Sequence, residues 1–158
     1  MATSSKPFVV EFKIEDPTRI QSYVRIGTPI SKDDATGKLR LTTWDTDFTA
    51  IWDTGAPFTL VVPRVVQTAS LKQRGFKMVG GIGSAPKQRP AYPASLLFLA
   101  PNSLSLQFVD VTMLEDDSQF GGADVLIGMD IIAKGETRIG KKNGELWFSF
   151  TLEQDHGR

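Results

Sequence analysis

Apolar runs in this chain are short, and glycine, proline, asparagine or aspartate interrupts them within about the length of one strand. That punctuation leaves no window for a long amphipathic helix and predicts an all-β fold. Phe8-Val-Val-Glu-Phe-Lys-Ile14 alternates and stops at Asp16-Pro17, and Ile20 to Ile26 reads as a second strand closed by Gly27-Thr28-Pro29. The polar stretch 31–38 reads as a loop. Leu39 to Thr43, Phe48 to Trp52 and Thr59 to Val62 follow as strands, then Phe76 to Val79, Ala91 to Leu99, Leu104 to Met113 and Asp124 to Ile127. Arg138-Ile139 and Leu146 to Phe150 form a hairpin around Lys142-Asn143-Gly144, because Asn-Gly supplies positive φ at little cost. Two short helices complete the pattern. One starts at Pro63, where the missing N–H costs little, carries Val65, Val66 and Ala69 on one face and stops near Lys72. The other covers Gly128 to Lys134, about two turns.

Composition narrows the chemistry. A chain of 158 residues holds about one domain with a genuine core. Eighteen basic residues balance eighteen acidic ones, so no bulk field recruits nucleic acid or a membrane surface. The apolar stretches are too short to span a bilayer. The N-terminal residues show no basic segment followed by an apolar run, so a cytoplasmic location is expected. There is no cysteine, which removes thiol nucleophiles and disulfides. The one histidine, His156, lies beside the C-terminus, so the body of the chain offers no imidazole for a Ser-His-Asp triad or a multi-histidine metal site. No metal and no cofactor is expected. Any hydrolysis would rest on carboxylates.

Three segments carry the functional signal. Asp53-Thr54-Gly55-Ala56 leaves the apolar run Ala50-Ile51-Trp52, an arrangement that seats a carboxylate on a rigid, water-poor strand end. Gly55 lets the backbone turn beneath that carboxylate, and the Thr54 hydroxyl can lock the loop. Taken alone, the triplet could be an ordinary β-turn. Val125-Leu-Ile-Gly-Met-Asp-Ile-Ile132 suits a strand passing this loop, with Ile127 and Gly128 supporting it and Gly128 permitting close approach. Asp130 in the same segment suits a structural role at a helix start. Met78-Val-Gly-Gly-Ile-Gly-Ser84 is a glycine-rich hairpin tip that can act as a lid. It fails as a phosphate loop, since no Lys-Ser or Lys-Thr follows at the required spacing.

In this order the three segments resemble the retropepsins, single-domain aspartic proteases, with the Leu-Ile-Gly-Met-Asp and Phe148-Ser149-Phe150 stretches more similar to bacterial members than to viral ones. The likeness spans 37–151. Residues 1–36 show strands without a family motif, 152–158 is a C-terminal tail, and the whole is treated as one domain. The resemblance implies a closed barrel with one or two short helices and an active site at a homodimer interface. Asp53, Thr54 and Gly55 of each chain would be catalytic, and Thr54 would bond across the two-fold axis. Ala56, Gly80, Gly81, Ile82 and Gly83 would contact a peptide or protein substrate. Terminal strands including Leu146 to Phe150 are expected to bury aromatic faces in the dimer.

Departures from the viral pattern are plain. An acidic residue two positions after the triplet and an Arg after the later glycine pair in viral members; here Pro57 and Met129 stand there. Pro86, Pro90 and Pro93 remove ladder donors from the second lid strand, which is therefore expected to be short or displaced. A catalytically silent peptide-binding or dimerisation module on the same fold is the competing reading. The cluster Lys72, Arg74, Lys77, Lys87 and Arg89 reads as a solvated hairpin face, with acidic substrates as the alternative.

Overall fold

The computed structural model describes residues 7–29, 45–80, 83–99, 107–118 and 120–152. The expected loop 31–38, the strand at Leu39 to Thr43, the residues Gly81, Ile82 and His156, and the first part of the strand from Leu104 lie outside them. Ten strands and two helices run in the order β1 (Phe8–Lys13), β2 (Ile20–Gly27), β3 (Phe48–Trp52), β4 (Leu60–Val61), α1 (Pro63–Thr68), β5 (Phe76–Val79), β6 (Lys87–Phe98), β7 (Gln107–Glu115), β8 (Val125–Ile127), α2 (Met129–Ile132), β9 (Gly135–Lys142) and β10 (Glu145–Leu152) among the described residues.

Six strands close into a barrel in the order β2-β3-β8-β4-β7-β6, with β6 returning to pair with β2. Closure removes the edges of the sheet, and β5 hangs outside it on β6. A second sheet, β1-β10-β9, packs its inner residues Phe8, Val10, Phe148, Phe150 and Leu152 into the same core. The expected all-β closed barrel with two short helices is what the chain forms.

Trp52 sits at the centre of the aromatic packing. Its ring lies 5.6 Å from Phe98, 4.8 Å from Phe148 and 5.0 Å from Phe150. Its indole N–H donates to the buried Ser22 hydroxyl at 2.8 Å, so the polar end of the ring is satisfied. Truncating a side chain so placed costs about 3–5 kcal/mol. Because Trp52 is the last residue of β3, the core itself determines where the next residue, Asp53, emerges.

Several boundaries differ from expectation for physical reasons. Helix α1 ends at Thr68 rather than near Lys72, because Ser70 turns left-handed at φ 52° while Leu71 N–H reaches back to Val66 C=O and buries its side chain. Helix α2 makes one turn instead of two. Gly135 must already pair with Leu152, and a Cβ there would stand 2.3 Å from the Thr151 carbonyl oxygen. Strand β6 is not shortened by its prolines; at twelve residues it is the longest described strand. Ala91 donates to Gly75 on the β5 side. Pro93, two residues on, faces that side beyond the last β5 partner and before β2 joins at Ser95. Pro90 points its missing donor the other way, where β7 pairing begins only at Ala91. Both prolines sit where the ladder asks for no N–H. The expected β9–β10 hairpin turn forms at Asn143 (φ 52°) and Gly144 (φ 80°). Strand β10 is flanked on both sides, and Phe148 and Phe150 are already buried within the chain. Those two rings are therefore not free for an interface, contrary to the sequence reading.

Candidate active site

Strands β3 and β8 run parallel and pair Trp52 with Ile127, so the residues that follow them, Asp53 and Gly128, emerge side by side. The Asp53 amide donates to the Ile127 carbonyl at 2.9 Å, which extends the ladder by one bond into the loop. Asp53 is half-buried, and its Oδ1 accepts the Gly55 amide at 2.8 Å. A Cβ on Gly55 would meet that same oxygen at 3.1 Å, so glycine leaves the carboxylate its position.

Gly128 holds the loop from behind. A Cβ there would stand 2.5 Å from the Phe58 carbonyl oxygen and 2.8 Å from that of Ala56, both backbone atoms that cannot swing aside. The next residue closes the contact, Met129 N–H donating to Ala56 C=O at 2.7 Å. Ile127 and Gly128 are thus the residues at the end of β8 that touch the loop.

The link that sequence reasoning missed runs from Thr59 to Asp130. Thr59 is fully buried. Its hydroxyl donates to Asp130 Oδ1 at 2.7 Å and accepts the Gly128 amide at 3.2 Å, while its own amide donates to Asp130 Oδ2 at 2.9 Å. The pairing that Pro57 and Met129 cannot make is thus replaced by a threonine and a carboxylate two and one positions further on. A polar residue inside the run Phe58-Thr-Leu-Val-Val62 was the available signal.

Thr54 and Gly55 are exposed beside Pro57, and Met129 adjoins them with 37% of its surface open. The Thr54 hydroxyl has no partner among the described residues, so no described contact locks the loop through it. Ala56 is half-buried. The β5–β6 hairpin stands over this loop, with the Lys77 ammonium 3.8 Å from the centre of the Phe58 ring. Gly80 follows β5 with Pro86 packed 3.5 Å from where its Cβ would be, and Gly83 takes φ +78°. Gly81 and Ile82 between them are not described.

Arg89 on β6 pairs with Asp116 at 3.0 Å and Asp117 at 3.6 Å, tying the hairpin base to the end of β7. Burial pushes the Asp116 carboxyl up. Hydrogen bonds from the Ser118 hydroxyl and amide, with the Arg89 charge, outweigh this and hold it below the ordinary carboxylate value. No described helix is long and apolar enough to cross a membrane.

No protein-family model matches the chain, and neither does any curated protein. Solved structures do. The chain is similar to the EIAV protease solved with the inhibitor HBY-793, at 15% identity over 77% of this chain and 92% of that one, with a TM-score of 0.51. It is also similar to a retropepsin-like aspartic protease from Rickettsia conorii, at 9% identity over 95% of this chain and 98% of that one, with a TM-score of 0.50. At these identities the likeness speaks for architecture, and the architecture is a retropepsin-like fold.

Proposed function

We propose that the protein is an aspartic endopeptidase whose catalytic pair is assembled from two copies of the chain. One observation carries this reading: Asp53 is held on a clamped strand end beside the exposed residues Thr54 and Gly55. Peptide hydrolysis by carboxylates needs two of them, and the Asp-Thr-Gly triplet occurs once.

In the homodimer the two Asp53 carboxylates face each other and share one proton, as aspartic-protease dyads are known to do. The ionised Asp53 draws a proton from a water held between them. The protonated partner donates to the scissile carbonyl oxygen as the water attacks, and a proton then passes to the leaving nitrogen. Thr54 hydroxyls bond across the axis and hold the two loops in register. Ala56 and the hairpin glycines Gly80, Gly81 and Gly83 line the extended substrate, with Ile82 at the tip.

Digestion of a peptide library across pH, with Asp53→Asn as control, tests the reading. Cleavage should favour acid to mildly acidic conditions, because the dyad must hold one proton. The control should lose about a hundredfold or more in kcat while keeping its fold. A rate that keeps climbing above about pH 8, or that is unchanged in Asp53→Asn, contradicts it.

A further inference from the structure

We propose that the face of the β5–β6 hairpin turned toward the Asp53 loop forms a subsite for an acidic side chain, so that the substrates are extended peptides carrying Glu or Asp near the scissile bond. This rests on the peptidase reading above. The register pairs Lys77 with Arg89 and Val79 with Lys87, and directly opposed residues of an antiparallel pair share a face. Lys77, Val79, Lys87 and Arg89 therefore lie together, and Phe76, Met78, Gln88 and Pro90 occupy the reverse side.

The contact of Lys77 with the Phe58 ring shows which side is which: the cationic face looks at the loop that follows Asp53. The reverse side is open, with Phe76 60% and Met78 61% exposed. Lys77 and Lys87 are exposed as well, and what sets them apart from plain surface charge is position: they share one face, and Lys77 seats that face on Phe58.

Of the three cations only Arg89 is neutralised, by Asp116 and Asp117. Lys77 rests on an aromatic face, and Lys87 has no ion pair with any described residue. A carboxylate entering a cleft from which the peptide has displaced water offers both ammonium groups a stronger partner than the ring or solvent does.

The test uses decapeptides with a central apolar pair, in which one Glu is moved through the flanking positions, each with a Gln counterpart. Binding is measured to the intact Asp53→Asn protein, which retains the cleft, and cleavage to the parent. At one or two positions Glu should bind about tenfold tighter than Gln. That preference should fall with added salt and shrink to about one in Lys77→Met/Lys87→Gln, while Lys77→Arg/Lys87→Arg retains it. Equal binding of every Glu and Gln pair, or a preference that survives removal of both lysines, overturns the inference. Selective binding without any cleavage by the parent supports the subsite and instead removes the peptidase reading.

Discussion

The Asp53 loop and the β5–β6 hairpin face each other and are built on opposite terms. The loop is held by backbone bonds to Ile127 and from Met129, by the side-chain network of Thr59 and Asp130, and by a glycine with no spare volume behind it. The hairpin, from Phe76 to Val79 and Lys87 to Pro90, contributes no residue to the core and is fastened by strand pairing, one ion-pair cluster and the Lys77–Phe58 contact. Local stability follows such differences in buried contact. On the proposed function, the contrast assigns chemistry to an over-determined element and gating to an under-determined one.

Breaking the loop from behind should have the largest effect. Gly128→Ala places a Cβ inside the Phe58 and Ala56 carbonyls, and urea unfolding should show a loss of about 3 kcal/mol. Thr59→Val keeps the shape but strips Asp130 of a donor and the Gly128 amide of an acceptor; a loss of about 2 kcal/mol is expected by the same measurement. Either result near zero would mean the loop is not clamped as described.

The hairpin should respond less. Asp116→Asn weakens the pair with Arg89 and should cost about 1 kcal/mol at neutral pH. Because the folded carboxyl titrates below its unfolded value, its contribution is present above that value and is lost as pH falls through the folded pKa. Parent and variant should thus converge below about pH 4 in thermal unfolding. Phe76→Ser, on the open side, should change stability by less than about 0.5 kcal/mol. A large loss there would show that the outer face is covered.

The two regions were also unequally legible in the sequence. Asp53, Gly55 and Gly128 stood out through their combination, a triplet after one apolar run and a glycine after another, although the triplet alone also fits an ordinary β-turn. Strand β3 and the β9–β10 turn were equally plain, since alternation and Asn-Gly are local signals. The Thr59–Asp130 link was hidden because it joins residues 71 apart whose meeting depends on β4 lying against β8. Strand β6 was misjudged because a proline's cost depends on which way its nitrogen points, and that is a property of register. The facing of Lys77 and Phe76 was likewise decided by tertiary placement and not by alternation alone.

The claim that two chains build one site is tested most directly by mixing. Parent and Asp53→Asn chains are combined at equal amounts, unfolded and refolded together, and assayed at constant total chain concentration. If each site needs one Asp53 from each of the two copies, only parent–parent dimers cleave, and activity falls to about one quarter of the undiluted parent. A fall to about one half, linear in the parent fraction, would mean that each chain carries a complete site and would contradict the account.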